Sequence, residues 1–205
     1  DFNPPLAVYF AGFRPAEGFE GYFMMKNLGC PFLLFSDPRL EGGAFYLGSE
    51  ELENKIKKTI QYYLDYLDLT SKDLILSGLS MGTFPSLYYG AAFEPCAVIV
   101  GKPLANIGTI AKRGRLDAPG VFNTSYDILR HQTGGVSYQH MDDLDQRFWN
   151  VFKKANFTNT TFGLSYMKDE DMDSKAYDQL VEHLCYTGAK ILSKGTSGRH
   201  NDDTD

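Results

Sequence analysis

The sequence predicts an α/β fold: a mostly parallel sheet with helices on both faces and an inserted segment between two later strands. Three observations carry that reading. Short apolar runs without polar alternation recur along the chain, as strands covered on both faces require. Amphipathic stretches of helical period lie between them. Clusters of Gly, Ser and Pro close most of the runs and mark turns at strand ends.

Leu6 to Phe10 is the first apolar run, broken by Ala11-Gly12-Phe13-Arg14-Pro15. Pro31 to Phe35 is the second, ended by Ser36-Asp37-Pro38. From Ser49 to Asp68 the period changes to helical: Leu52, Ile56, Ile60, Tyr63, Leu64 and Leu67 share one face. Ser49 suits the N-cap, with Glu50 and Glu51 in the first turn. Leu74 to Leu76 is a third strand, followed by a tight turn and a helix-like stretch from Phe84 to Phe93. Ala97 to Val100 is the fourth strand, ending at Gly101-Lys102-Pro103. Thr161 to Met167 and Ala189 to Ser193 are the fifth and sixth, with a helix from Ser174 to Tyr186 between them.

Residues 104–156 depart from this rhythm. They hold Gly114, Gly120, Gly134 and Gly135, His131 and His140, and a helical stretch from Asp142 to Lys154. A cap or lid over the end of the sheet is expected there, within a single domain covering 1–205.

Composition bounds the function. A chain of 205 residues, 43% hydrophobic and 22% charged, is globular and long enough for one core. The net charge of −6 gives no electrostatic ground for binding nucleic acid. No run approaches the ~18 apolar residues that would cross a bilayer. Aromatic residues, at 14%, are assigned mainly to the core. Cys30, Cys96 and Cys185 have neither metal-ligand nor disulfide-framework spacing, and are read as buried free thiols in a reducing compartment. The chain opens Asp1-Phe2-Asn3-Pro4-Pro5 and stops shortly after His200, so it reads as a domain excised from a longer protein.

The chemistry centres on Gly78-Leu79-Ser80-Met81-Gly82. A bare G-x-S-x-G match is weak, since chance would supply about 0.1 in a chain of this composition. Here a strand precedes it and a helix follows, as a nucleophile elbow requires. The two glycines let strand and helix backbones approach, leaving the Ser80 hydroxyl exposed at the carboxyl edge of the sheet. A serine hydroxyl needs a base. His131 and His140 lie in the insertion and His183 lies within a helix. His200, in a Gly-rich loop after the last strand, is where an α/β-hydrolase-like fold places its base; His140 is the next choice. The acid belongs on the loop after the fifth strand. Lys168-Asp169-Glu170-Asp171-Met172-Asp173 offers four carboxylates, and spacing does not choose among them. The order Ser, acid, His is that of α/β-hydrolases. Oxyanion donors are expected at the Met81 amide and in the Gly12-Phe13-Arg14 loop. Arg14 and Lys102 either face substrate or pair with surface carboxylates, and Arg199 beside the base joins them as a substrate contact.

Several segments together resemble the second accessory secretion protein family of the bacterial accessory Sec system. They are Val8 to Arg14, Glu17 to Met25, Leu76 to Gly82, Val100 to Leu104, Tyr166 to Asp171 and Gly198 to Asp202. The resemblance runs through nearly the whole chain and covers the C-terminal part of that longer protein. It implies an O-acetyltransferase that acts on N-acetylglucosamine of serine-rich repeat adhesins and supports their export from Gram-positive bacteria. It also implies a Ser80–Glu170–His200 triad, and it alone selects Glu170 from the acidic loop. No bound cofactor or metal is expected, only an acetyl donor that the sequence does not identify. Implied partners are the glycosylated adhesin, other accessory Sec proteins and the accessory motor ATPase. The implied location is the cytoplasm or the inner face of the cell membrane.

Overall fold

A computed structural model describes residues 4–13, 18–40, 44–116 and 123–202. Six strands form one parallel sheet in the order β2-β1-β3-β4-β5-β6. They are β1 (Leu6–Phe10), β2 (Phe32–Phe35), β3 (Leu74–Leu79), β4 (Ala97–Gly101), β5 (Thr161–Met167) and β6 (Lys190–Thr196). The helices are α1 (Tyr22–Asn27), α2 (Glu50–Tyr66), α3 (Thr83–Phe93), α4 (Ile107–Leu116), α5 (Asn123–Thr133), α6 (Tyr138–Phe152) and α7 (Asp171–Leu184).

Local chemistry accounts for the boundaries. Ser49 caps α2 by accepting from the Leu52 N–H, and Glu50, Glu51 and Glu53 complement the helix dipole. Ser137 and His140 form a reciprocal capping box at the start of α6. Glu94 ends α3 in the left-handed conformation, its N–H returning to the Gly90 carbonyl.

The register aligns Leu33, Val8, Leu76, Val98, Phe162 and Ile191 in one row across all six strands. That row faces the main core, which α2, α3, α4, α5, α6 and α7 cover. A chain of aromatic contacts runs through it: Phe84 to Phe148 at 5.3 Å, Phe148 to Phe152 at 5.2 Å, Phe152 to Phe157 at 4.9 Å and Phe157 to Phe162 at 5.0 Å between ring centroids. The aromatic richness of the sequence is largely spent here.

The opposite row reads Leu34, Tyr9, Ser77, Ile99, Gly163 and Leu192. Among the described residues α1 is the helix on that side, where Met25 packs with Ala7 and Tyr9. Helices thus lie on both faces, as expected, but very unequally. The expected cap segment consists of α4, α5 and α6, and α6 packs into the main core through Phe148 and Phe152. The apolar pattern did not reveal α1, α4 or α5. The cysteines are free, but Cys30 and Cys96 are half-buried and Cys185 is exposed, which corrects the expectation of buried thiols. No described helix is long and apolar enough to cross a membrane.

Phe152 sits at the centre of the aromatic chain with no exposed surface. Phe152→Ala should therefore destabilise the fold by about 3–5 kcal/mol in chemical denaturation. Tyr62→Ala, on the exposed side of α2, should change stability by no more than about 0.5 kcal/mol.

Candidate active site

The elbow is built by close backbone approach. β3 ends at Leu79 in extended conformation, and Ser80 then adopts a φ of 52°. A non-glycine residue in this left-handed region is held there by its surroundings. A Cβ on Gly82 would fall 1.9 Å from the Phe10 carbonyl oxygen, and one on Gly78 would fall 2.1 Å from the Gly82 oxygen. Both positions therefore exclude any side chain. The turn is braced from beneath: Thr83 Oγ1 donates to the Ser80 carbonyl at 2.6 Å and accepts from the Leu104 N–H at 2.9 Å. Ser86 Oγ donates to the Gly82 carbonyl at 2.8 Å.

His200 arrives on the loop after β6. That loop is tied to the loop after β5 by a reciprocal pair: Gly198 N–H donates to Asp169 Oδ2 at 2.7 Å, and Asp169 N–H donates to the Gly198 carbonyl at 3.2 Å. Arg199 N–H donates to Asp202 Oδ2 at 2.8 Å, closing the turn that holds the histidine. His200 Nε2 lies 2.7 Å from Ser80 Oγ. On its other side, Nδ1 lies 2.6 Å from Asp173 Oδ1. An ionised carboxylate only accepts, so Nδ1 carries the proton and Nε2 is the acceptor facing the Ser80 hydroxyl.

The carboxylate on His200 is therefore that of Asp173 rather than that of Glu170, the member the resemblance selected. Asp173 has no exposed surface, and its Oδ2 accepts from the Met167 N–H at 3.3 Å. It sits inside the first turn of α7, directed at the imidazole. Glu170 occupies the N-cap position, where its carbonyl accepts from Ser174. Asp169 fastens the histidine loop, and Asp171 pairs with Lys175 at the surface. The acidic loop thus contains one buried acid, a distinction that residue spacing does not encode.

The residues expected to donate to an oxyanion have different settings. Met81 is buried and is the middle residue of the single 3-10 turn Ser80–Gly82, so its N–H lies among those without an intrahelical acceptor. Gly12 stands against the elbow: an added Cβ would lie 3.1 Å from the Leu79 carbonyl oxygen. Its N–H, however, donates to Glu20 Oε2 at 2.7 Å. This corrects the reading of Gly12 as an open donor. Glu20 also approaches the buried Tyr9 hydroxyl; burial first, then the Glu20 charge and hydrogen bond, push the phenol pKa upward. Sequence reading overlooked Glu20 because it lies eight residues from Gly12 in no recognisable motif.

The other expected contacts divide. Lys102 is buried in left-handed conformation just past β4, its N–H donating to the Ser165 carbonyl at 2.8 Å. Arg199 is exposed beside the base, and Arg14 lies outside the described residues. The remaining histidines have other settings. His140 caps α6, and His131 is exposed on α5. His183 is held below its usual pKa by burial and by Lys153. A concavity lies away from Ser80, between α4, α6 and α7, where Asn106, Asp145, Trp149, Asp171 and Gln179 line it.

Removing the carboxylate charge at Asp173 should uncouple the histidine from its productive tautomer. Asp173→Asn should slow fluorophosphonate labelling of Ser80 by about 10³–10⁴-fold. Glu170→Gln should leave the rate within about tenfold; labelling followed by intact-mass spectrometry measures both.

Comparison with known proteins places these features in a lineage. The family model for the accessory Sec system GspB-transporter matches residues 1–205. An accessory Sec system protein of Streptococcus gordonii is 57% identical over 204 residues, covering 100% of this chain and 40% of the relative. The chain thus spans about two-fifths of that curated relative's length. A glycosylation-associated protein (Gap123) complex from Streptococcus agalactiae contains a chain that matches with a TM-score of 0.93 and 49% identity, over 100% of this chain and 40% of that one. The capsule O-acetyltransferase of Neisseria meningitidis serogroup A matches with a TM-score of 0.77 over 98% of this chain and 82% of its own. At 19% identity that likeness establishes the α/β-hydrolase-like fold alone. On the full-length family match and the high identity of its relatives, the chain belongs to the accessory Sec system GspB-transporter family.

Proposed function

We propose that this domain is a serine acyltransferase that moves an acetyl group onto a sugar hydroxyl, N-acetylglucosamine on a serine-rich repeat adhesin being the acceptor. The observation that carries the reading is the continuous Ser80–His200–Asp173 hydrogen-bond chain, with Ser80 presented on a left-handed backbone. In this reading His200 Nε2 takes the Ser80 proton as Oγ attacks the acetyl carbonyl of a donor. Asp173 orients the imidazole and stabilises the imidazolium that forms. The Met81 and Phe13 N–H groups meet the developing oxyanion. Collapse expels the donor's leaving group, which takes the proton from His200, and leaves acetyl-Ser80. His200 then removes the proton of the sugar hydroxyl, the alkoxide attacks the acetyl carbon, and the proton passes back to Ser80.

Water in place of the sugar would make the same machinery an esterase. The capsule O-acetyltransferase supports transfer to a carbohydrate as the reading, since it shares this fold over nearly the whole domain. Family membership supports action on an exported glycoprotein, and the matched Gap123 complex supports other accessory Sec proteins as partners. The accessory motor ATPase and a location in the cytoplasm or at the inner membrane face belong to the same reading. So does a second, non-catalytic role in export.

Mass spectrometry of the glycosylated adhesin decides the catalytic role. Cells carrying Ser80→Ala in the full-length protein should lose the 42 Da acetyl increments on the glycan, roughly a hundredfold or more below wild type. Unchanged acetylation would overturn the reading. Export that persists with Ser80→Ala but fails on deletion of the whole protein would assign the two roles to separate surfaces.

A further inference from the structure

The strand order reverses direction at one point, and Ser80 stands there. From β1 the chain steps to β2 on one side, then returns to β3 on the other side of β1 and continues outward. In an open α/β sheet, the crevice outside the carboxyl ends at such a reversal is where ligands bind. Here β1 and β3 flank it, with Ala11 and Gly12 on one lip and Leu79 and Ser80 on the other.

The crevice holds a side chain that the triad does not use. β1 and β3 stay paired as far as Phe10 and Gly78. Ala11 N–H turns to the Phe35 carbonyl of β2, so the next amide, at Gly12, faces β3. One more step of the ladder would join Gly12 N–H to the Leu79 carbonyl, which lies 3.1 Å from the position of a Cβ on Gly12. Glu20 Oε2 takes that N–H instead, at 2.7 Å. The Glu20 carboxylate is therefore wedged where the two strands part, beside the residue that precedes the nucleophile. The buried Tyr9 hydroxyl bonds the same carboxylate from the face that α1 covers. Both donors are neutral, and neither cancels its charge. Gly21 brings the chain back over the Tyr9 ring at a φ of 79°, where a Cβ would fall 2.9 Å from that ring.

We propose that Glu20 sets which acyl group Ser80 accepts, admitting a neutral one and rejecting one that carries a carboxylate of its own. The inference deepens the acyl-transfer reading above and rests on it. An acyl group on Ser80 Oγ lies in the crevice that Glu20 lines. A second negative charge brought there meets the half-buried Glu20 carboxylate at close range. At a separation of about 6–8 Å and an effective dielectric near 20, such repulsion slows acylation roughly ten- to a hundredfold. A neutral acyl group of the same length meets no such barrier. Acetyl satisfies this condition, whereas the half-acyl group of a dicarboxylic acid, such as succinyl, does not.

The test uses the purified full-length protein and the p-nitrophenyl esters of acetate, levulinate and succinate, the last as its hemiester. Levulinyl and succinyl groups match in length and differ in charge. In each acylation Ser80 Oγ bonds to the ester carbonyl carbon, His200 takes the hydroxyl proton, and p-nitrophenolate leaves. Its absorbance, less spontaneous release, gives the rate, and peptide mass spectrometry places the acyl group on Ser80. Wild type should accept levulinyl at least about tenfold faster than succinyl. Glu20→Gln keeps an oxygen for the Gly12 N–H and should bring the two rates within about threefold, chiefly by speeding succinyl. Glu51→Gln, an equal loss of charge on the exposed side of α2, should retain the wild-type preference. Equal levulinyl and succinyl rates in wild type would overturn the proposal, and so would a preference unchanged in Glu20→Gln. Acylation by acetate alone would place the selection on size and overturn it as well. Failure of every ester to acylate Ser80 would remove the acyl-transfer reading itself, and this inference with it.

Discussion

Everything at the active site depends on how closely three backbone segments meet beneath Ser80. The carbonyl of Phe10, at the end of β1, occupies the space a side chain on Gly82 would need, and the Gly82 carbonyl occupies the corresponding space at Gly78. With β1 and β3 paired in parallel register, α3 can begin only where the backbone is bare. The left-handed conformation of Ser80 follows from that crowding and costs about 1–3 kcal/mol. Burial of Phe84 and Leu87 in α3 and the braces from Thr83 and Ser86 offset it. The same geometry leaves the serine hydroxyl directed outward from the carboxyl edge.

The base and acid reach Ser80 because β5 and β6 are neighbours in the sheet. Their parallel pairing delivers two loops to the same edge, and the exchange between Asp169 and Gly198 joins them. The imidazole is then held from two sides by groups far apart in sequence, with Ser80 at one nitrogen and Asp173 at the other. Asp173 is suited to this place by its burial within the first helical turn, where the Met167 N–H satisfies its second oxygen. A buried carboxylate without such partners would be costly. Glu170 sits three residues earlier, at the N-cap, where its backbone carbonyl serves the helix.

The two faces of the sheet express one rule of connectivity. Because successive crossovers keep the same hand, the direction of each step along the sheet decides which face receives the helix. Most steps here run the same way, and a single large core results on one side. The aromatic contacts from Phe84 to Phe162 lie within that core. The other side holds only α1 and the small cluster around Tyr9 among the described residues.

The sequence by itself determined the strands, the elbow and its base. Apolar runs without alternation are local signals, and so are an N-cap serine and a glycine on each side of Ser80. All six strands, α2 and α3 were legible for that reason. The helices α1, α4 and α5 were not, because α1 is short, Gly108 and Gly114 interrupt α4, and α5 offers only Tyr126, Ile128 and Leu129 to set a period. Choosing among four carboxylates, and finding Glu20 on the Gly12 N–H, required tertiary structure. Hydrogen bonding depends on distance and burial, and residues eight, twenty-seven or one hundred and twenty positions apart carry no local trace of sharing a bond. The nucleophile was written in the local sequence, whereas the acid that serves it was decided by where α7 packs.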